Sequence, residues 1–365
     1  MSLEQGAMSI STAQFVILGV AAFALTGLLT WPVRALAIRL GAMDAPNLAR
    51  KTQTEPVPYL GGVAIALGIT IITFAAVFVG GNATGENSGQ LKDLALTVLL
   101  PALVLGAMGL FDDLRSLSPW PRLIAQTIVG TVVAIIIVNN GTIGTAFGDS
   151  GSGESTSWIN TAVTIFWIVG ICNSINFFDN LDGAASGAVA IAALGVFLIA
   201  FDRGQELVSA LSIVTAGATI GFLIWNKSPA KIYMGDAGAL FLGVIISVAT
   251  IRLNPGIVPT SKSLMIPVIL LAVPLLDTCV AVLSRIARGL SPLTGGKDHL
   301  SHRLVRAGLT RPMAAISLWL GSGACAVVAV IIYMHPDSLG TPLIGVFVAM
   351  WLGALVLFLR TPSHD

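Results

Sequence analysis

Apolar runs of about 20 residues recur along the whole chain and are separated by short polar segments. A run of this length crosses the hydrocarbon core of a bilayer as a helix. The pattern predicts about eleven transmembrane helices, at 13–38, 60–80, 94–111, 122–138, 158–177, 186–201, 207–225, 238–252, 264–285, 313–333 and 340–359. The predicted fold class is therefore an all-α polytopic membrane protein.

Basic residues are distributed unevenly between the two sets of loops that eleven spans define. Fifteen of the nineteen lie on one set, and the other set holds only Lys92, Arg203, Arg252 and Lys262. Because basic loops stay in the cytoplasm, this asymmetry predicts an outer amino terminus and a cytoplasmic carboxyl terminus. Residues 1–12 are expected to form an extracytoplasmic tail that includes vector-derived residues, and residues 13–360 a single integral-membrane domain.

The composition agrees with a membrane protein and excludes other classes. Hydrophobic residues make up 55% of the chain and charged residues only 10%, far fewer than in soluble proteins. A net charge of +1 creates no field that would attract nucleic acid, so no nucleic-acid partner is expected. The three cysteines lie in apolar runs, which argues against a disulfide framework.

The second predicted cytoplasmic loop carries two adjacent carboxylates, Asp112 and Asp113, at the end of a span. Adjacent carboxylates repel each other unless a cation or a proton lies between them. The alternative interpretation is a hydrated helix end. Arg122 opens the next span, where a guanidinium can hold a lipid phosphate at the headgroup level.

The third loop places Asn173, Asn176, Asp179 and Asp182 at intervals of three residues. This spacing lets oxygen-bearing side chains converge on one pocket, and such oxygens suit magnesium. A polar helix cap explains one or two of these residues, but not readily four.

The fourth and fifth loops add further polar groups. Asp236 lies between Gly235 and Gly238, where the backbone can approach a ligand closely, although a single Gly-Asp-x-Gly turn is more often structural. The fifth loop holds His299, His302 and Arg303, which predict either an anion clamp or a basic surface on anionic lipid. Together the four loops indicate metal-assisted phosphoryl chemistry at a membrane surface.

Asp277 is the main ionisable residue within a predicted span. It lies between Pro274 and Arg285 on a span that we expect to be bent, and both a helix-supporting and a functional role are open.

The order and spacing of these loops resemble those of the polyprenyl-phosphate N-acetylhexosamine-1-phosphate transferases. The resemblance extends from about Asp44 to Leu304 and favours the WecA-like and TagO-like branch, because the three adjacent histidines of the MraY branch are missing. It is carried by the segments Asp44-Ala-Pro-Asn47, Pro58-Tyr-Leu-Gly-Gly62, Asp112-Asp113, Asn173–Gly183, Met234-Gly-Asp236 and His299–Arg303.

The resemblance implies a reaction and a set of site residues. The reaction is Mg²⁺-dependent transfer of GlcNAc-1-phosphate from UDP-GlcNAc to undecaprenyl or another polyprenyl phosphate, with release of UMP on the cytoplasmic face of a bacterial-type plasma membrane; Mn²⁺ is a candidate substitute. The implied catalytic residues are Asp112, Asp113 and Asp179, and the implied magnesium ligands are Asp236 and Asn176. The implied substrate-binding residues are Lys51, Arg122, Asn173, Asp182, Asn226, Tyr233, His299, His302 and Arg303.

Some alternatives stay open at this point. UDP-MurNAc-pentapeptide is the alternative donor. A secondary transporter and a non-catalytic scaffold are the alternative protein classes. The oligomeric state is also open, and a homodimer is one candidate. The chain also departs from the family pattern: Asn180 stands where glycine is usual, Ser301 interrupts a His-x-His-His run, and Ala239 replaces a frequent serine. We expect direct in-line displacement rather than a phosphorylated aspartate, with Asp112 near the lipid phosphate.

Overall fold

Thirteen α-helices account for most of the described chain, which in this computed structural model covers residues 10–44, 56–81, 93–115, 117–139 and 157–361. The first seven are α1 Thr12–Arg39, α2 Gly61–Gly81, α3 Leu100–Arg115, α4 Pro119–Asn139, α5 Ser157–Phe178, α6 Ala184–Asp202 and α7 Glu206–Asn226. The others are α8 Gly235–Arg252, α9 Thr260–Leu270, α10 Ala272–Ala287, α11 Leu300–Arg306, α12 Arg311–Met334 and α13 Thr341–Arg360. Short π-helical turns, Ala95–Leu99 and Pro336–Gly340, precede α3 and α13.

The predicted all-α membrane fold is confirmed. Within the described residues, nine helices are long and apolar enough to cross a bilayer, and the bent pair α9 and α10 makes a tenth when it is taken as one span. That pair bends by 74° at Leu271, in the span that carries Pro274 and Asp277 and that we expected to be bent. The remaining predicted span coincides with α2, whose side chains are described as far as Ala76.

Helix α8 lies at the centre of the bundle, where α2, α3, α5, α6 and α7 pack around it. Every residue from Ala237 to Thr250 is buried. A helix that is apolar on all sides has no solvent face to present, so the interior of the bundle is the position that suits it. The first turn of α8 is thereby held in a fixed place relative to its neighbours.

Glycines allow the helices around α8 to approach closely. A methyl group at Gly109 of α3 would lie 2.5 Å from the carbonyl carbon of Asp236, and one at Gly62 of α2 would lie 2.8 Å from that of Ala237. Both distances are far below van der Waals contact, so only glycine fits at these crossings. The end of α3 and the start of α8 are in backbone contact as a result.

Two short strands connect the start of the chain to the same region. β1 Met43–Asp44 pairs antiparallel with β2 Val57–Pro58, and Tyr59 forms a parallel bridge with Tyr233 just before α8. At the opposite end of α8, Arg252 forms a bidentate ion pair with Asp93, at 2.7 and 3.0 Å. Both ends of the central helix are therefore fixed by polar contacts.

Candidate active site

A cleft of about 560 Å³ opens at the end of the bundle where α3 and α5 finish and α8 begins. Its lining is dominated by ionisable side chains from separate loops. They are Asp44, Asp112, Asp113, Asp179, Asp182, Asp236, Arg122, Arg285, His299 and His302. Six carboxylates in one cleft repel each other strongly unless cations compensate them, so the cleft is built to hold positive charge.

The adjacent carboxylates at the end of α3 have different partners. Asp113 accepts hydrogen bonds from the backbone N–H groups of Asp236, at 2.9 Å, and Ala237, at 3.0 Å. These are orphan donors in the first turn of α8, and a carboxylate is favoured at that positive end of the helix dipole. Asp113 therefore joins α3 to α8 through both of its side-chain oxygens, next to the glycine contact at Gly109.

Arg122, in the first turn of α4, connects Asp112 with Asp236. Its Nη1 lies 2.7 Å from Oδ2 of Asp112 and 2.6 Å from Oδ2 of Asp236. The other oxygen of Asp112 accepts from the backbone N–H of Leu117 at 2.5 Å. One guanidinium nitrogen is thus shared by two carboxylates that meet from different helices.

The end of α5 contributes the next two groups. Asn176 donates from Nδ2 to Oδ1 of Asp236 at 2.6 Å. Asp179 follows α5 directly, and loss of hydration, together with the nearby charges of Asp236, Asp113 and Asp182, raises its pKa to about 8. Its side chain therefore retains a proton at neutral pH unless a cation enters the cleft.

The other side of the cleft is shaped by the loop between α7 and α8. The amide of Asn226 accepts from Gly183 N and Ser186 Oγ and donates to the carbonyl of Ile232, which fixes the backbone next to Tyr233. Asp182 accepts from Ala230 N at 3.0 Å. Burial and the charge of Asp182 raise the pKa of Tyr233, so its hydroxyl stays protonated and can donate.

The fifth loop brings two histidines to the cleft. His302 lies in α11, where burial and the nearby His299 lower its pKa to about 4, so its ring is neutral at physiological pH. His299 is buried, and its two ring nitrogens face Asp277, at 2.7 Å, and Arg285, at 3.1 Å. A neutral histidine can accept or donate a hydrogen bond at a phosphate, but it does not add positive charge.

Comparison with known proteins identifies the reaction class. The model of glycosyl transferase family 4 matches residues 95–254, which contain Asp112, Asn176 and Asp236. A probable undecaprenyl-phosphate N-acetylglucosaminyl 1-phosphate transferase of Bacillus subtilis is 36% identical over 300 residues, or 81% of this chain and 79% of that protein. The chain belongs to glycosyl transferase family 4.

Other relatives place this family 4 member among enzymes that use polyprenyl phosphates. A decaprenyl-phosphate N-acetylglucosaminephosphotransferase of Mycobacterium tuberculosis is 28% identical over 388 residues, with 99% of this chain and 93% of that protein covered. A phospho-N-acetylmuramoyl-pentapeptide-transferase of Streptococcus thermophilus is 31% identical over 210 residues, with 54% and 59% covered. The chain is thus a sugar-phosphate transferase, and the transporter and scaffold alternatives are set aside.

The structure brings most of the predicted site residues of this family 4 enzyme together. The residues that line the cleft are Asp112, Asp113, Arg122, Asn176, Asp179, Asp182, Asn226, Tyr233, Asp236, His299 and His302. Lys51 lies outside the described residues. The sequence did not identify Arg285, which also lines the cleft, as a site residue.

Two predicted substrate-binding residues lie elsewhere. Asn173 points away from the cleft lining and donates to Gln126 Oε1 at 2.6 Å. Arg303 is buried behind the fifth loop, where its guanidinium donates to Ser284 Oγ at 2.6 Å and to the carbonyls of Phe358 and Thr361 at the carboxyl end of α13. Its acceptors are helix-end carbonyls, so the geometry gives Arg303 a capping role instead of a place in the cleft.

The two departures from the family pattern that flank the cleft contact each other. Ser301 Oγ donates to Oδ1 of Asn180, and Asn180 Nδ2 donates to the carbonyl of Phe177 at 2.6 Å. The side chains that replace the usual residues therefore connect the third and fifth loops directly.

The donor set of the cleft fits a hard divalent cation. Within the described residues, no three His, Cys, Asp or Glu side chains converge into a complete metal cage. Mg²⁺ is ordinarily held by one or two carboxylates together with substrate phosphates and water. Asp236, with Asp112 on the other side of Arg122, provides such a partial oxygen set, and the amide of Asn176 lies beside it with Nδ2 towards Asp236.

Proposed function

We propose that the chain transfers GlcNAc-1-phosphate from UDP-GlcNAc to a polyprenyl phosphate, with Mg²⁺ as the cofactor and UMP as the second product. The observation that supports this most is the shared position of Arg122 between Asp112 and Asp236. A cation already sits between carboxylates at the point where three helices end, so this place suits a divalent ion and two phosphate-bearing substrates.

The cation would be held by Asp236, with Asn176 as its second ligand. When bound, Mg²⁺ neutralises the charge that develops on the donor diphosphate. Arg122 is then free to turn towards the phosphate of the lipid, which a guanidinium binds in bidentate fashion. Asp179 and Asp182 line the same cleft and would orient the nucleotide sugar.

The contacts favour direct displacement over a covalent enzyme intermediate. Both oxygens of Asp113 accept backbone hydrogen bonds, and those of Asp112 are used by Leu117 and Arg122. In the direct step, an oxygen of the lipid phosphate bonds to the phosphorus that carries the sugar. The bond from that phosphorus to the oxygen of UMP breaks, and its electron pair leaves with UMP. No strong base is required, because a phosphate monoester has a second pKa of about 6.

The cytoplasm is the side to which we assign the cleft. The loops that line it belong to the set that holds fifteen of the nineteen basic residues. By the positive-inside rule, this set faces the cytoplasm, where water-soluble UDP-sugars are found.

The reaction is tested with purified protein, polyprenyl phosphate and UDP-GlcNAc labelled at the β-phosphorus. We expect Mg²⁺-dependent release of UMP and transfer of the label to the lipid, because the cleaved bond lies between the two phosphorus atoms. EDTA is expected to lower the rate at least 10²-fold, and added Mg²⁺ or Mn²⁺ to restore it.

Three outcomes would contradict this proposal. Release of UDP in place of UMP would mean that the sugar moves without its phosphate. UMP release from UDP-MurNAc-pentapeptide but not from UDP-GlcNAc would mean that the donor is UDP-MurNAc-pentapeptide. Full activity after chelation would exclude the divalent cation as a necessary component.

Arg122→Gln tests the two roles assigned to this guanidinium, which are to compensate the charges of Asp112 and Asp236 and to bind the lipid phosphate. Loss of its charge leaves Asp112 and Asp236 uncompensated, so we expect the substrate-free protein to bind Mn²⁺ about tenfold more tightly, an effect of about 1.4 kcal/mol. The KM for polyprenyl phosphate is expected to rise about tenfold, because the lipid phosphate loses its partner. Electron paramagnetic resonance of Mn²⁺ and steady-state kinetics measure the two effects.

Arg115→Gln is the matched control for this variant. Arg115 ends α3 at an exposed position, where its guanidinium lies 5.8 Å from the ring of Phe111 and outside the cleft lining. We expect neither the Mn²⁺ affinity nor the KM for polyprenyl phosphate to change more than twofold in this variant. Unchanged or weaker Mn²⁺ binding by Arg122→Gln would refute the competition between Arg122 and the cation.

A further inference from the structure

A buried charged cluster lies directly behind the fifth loop. The second half of the bent span, α10, presents Asp277, Ser284 and Arg285 to this loop, at spacings that place all three on one helical face. The side chain of Asp277 is 0% exposed and that of Arg285 2% exposed. Buried charges of this kind are costly unless each has well-defined partners, so their contacts carry information about their role.

The partners of His299 determine where its proton lies. Nδ1 is 2.7 Å from Oδ2 of Asp277, and a carboxylate only accepts, so Nδ1 carries the proton. Nε2 is 3.1 Å from Nη2 of Arg285, and a guanidinium only donates, so Nε2 carries the lone pair. The other oxygen of Asp277 accepts from Leu300 N at 2.6 Å, which fixes the carboxylate itself. Both nitrogens of His299 are therefore occupied within the protein.

Arg285 is held in one orientation by this arrangement. Nε donates to Asp298 at 3.1 Å, Nη1 to the carbonyl of Pro292 at 2.8 Å, and Nη2 to His299. The guanidinium also lies 5.3 Å from the ring centre of Phe177. Three of its five N–H groups thus have acceptors among the described residues, and Arg285 lines the cleft. The other two N–H groups have no hydrogen-bond acceptor among the described residues.

The charge balance leaves Arg285 able to attract an anion. Asp298 pairs with both Arg285 and Arg288, so one carboxylate is divided between two guanidinium groups. Asp277 contacts Nδ1 of His299 and the backbone N–H of Leu300 rather than either arginine. A guanidinium that is fixed in direction and only partly neutralised is well suited to bind phosphoryl oxygens.

We propose that Arg285 binds a phosphoryl group of the donor in the cleft, and that Asp277 and His299 are positioning residues that set the direction of its guanidinium. In this arrangement His299 does not touch the donor, and Arg285 supplies the guanidinium that the sequence pattern attributes to Arg303. The identity of the anion as the donor diphosphate rests on the proposed function, whereas the proton position on His299 does not.

Asp277→Asn tests the positioning role because it reverses one hydrogen bond. The asparagine oxygen still accepts from Leu300 N, so its NH₂ group faces Nδ1 of His299 and moves the ring proton to Nε2. Nε2 then carries an N–H group that faces the N–H groups of Arg285, so Arg285 loses its acceptor. We expect ¹⁵N spectra of histidine-labelled protein to report this change of tautomer, with His299→Gln identifying the signal among four histidines. We also expect kcat/KM for the UDP-sugar to fall about 100-fold.

A double-mutant cycle tests whether Asp277 acts through Arg285. We expect Arg285→Gln to lower kcat/KM for the UDP-sugar about 100-fold, with little change in the KM for the lipid. Asp277→Asn should then add less than threefold in that background, because contacting residues of one network are not additive. His299→Gln keeps a donor for Asp277 and an acceptor for Arg285, so it should lose less than tenfold.

Arg115→Gln is the control, since Arg115 is exposed, lies at the end of α3 and does not line the cleft. We expect it to change kcat/KM less than threefold. Three results would each overturn this proposal. The losses in kcat/KM of Asp277→Asn and Arg285→Gln could multiply in the double mutant, the tautomer of His299 could be unchanged in Asp277→Asn, or His299→Gln could be completely inactive. A wild-type protein that releases no UMP would instead refute the proposed function, and the ¹⁵N spectra would still report the proton position.

Discussion

Asp236→Asn is expected to lower the rate of sugar-phosphate transfer by about 10³-fold, which corresponds to about 4 kcal/mol of lost transition-state stabilisation. Asp236 accepts hydrogen bonds from both Asn176 and Arg122, and it lies in the first turn of the helix on which the site is built. Asparagine keeps the size of the side chain but removes the charge that attracts the cation. UMP release at saturating substrates measures the loss, and Mn²⁺ titration is expected to report weaker binding.

Asp93→Asn is the matched control, because Asp93 pairs with Arg252 at the opposite end of the same helix. It removes a carboxylate from an ion pair of similar geometry without touching the cleft. We expect lower thermal stability and a kcat within threefold of wild type. An Asp236→Asn enzyme within tenfold of wild type would refute the assignment of Asp236 as the principal cation ligand.

Gly109→Ala is expected to reduce activity at least 10²-fold without removing any polar group. The added methyl would lie 2.5 Å from the carbonyl carbon of Asp236 and 2.7 Å from the nitrogen of Ala237, both of which are backbone atoms that cannot turn aside. Helix α3 must therefore move away from α8, and it takes Asp112 and Asp113 with it. A displacement of about 1 Å at reacting groups costs about 10²-fold in rate, and overpacking costs about 1–3 kcal/mol of stability.

Gly170→Ala provides the comparison for this substitution. Gly170 lies within α5, and a methyl group there would meet nothing within 4 Å. We therefore expect activity and thermal stability close to those of wild type. If Gly109→Ala keeps full activity, the close approach of α3 and α8 does not determine the geometry of the site.

The membrane fold could be predicted from the sequence because many apolar runs along the chain give the same indication. Each span is an apolar run whose length the bilayer sets, so small errors in its boundaries do not change the result. A bend in the span that carries Pro274 was foreseen, although its position at Leu271 and its size were not. The direct contact between α3 and α8 was not foreseen, because abundant glycine indicates close packing without saying which helices meet.

The site could be predicted only in part from the sequence, because spacing along a chain does not determine the direction of a side chain. Asn173 and Asn176 share a residue type and a helix, yet one contacts Gln126 and the other Asp236. Asp277 and Arg285 were missed as a pair, although two ionisable residues eight positions apart in an apolar helix were a usable signal. Their role became clear only through the loop residue His299 that lies between them.

The hydrogen bond between Ser301 and Asn180 also couples two loops that could be exchanged in a chimeric protein. Each residue departs from the usual pattern, and each satisfies the other across two loops that are 121 positions apart. A change at one position leaves the other without this partner beside the cleft, so the effects of substitutions at the two positions are expected to be non-additive. A third loop that carries a residue other than Asn180 loses this hydrogen bond to the fifth loop unless residue 301 is exchanged with it.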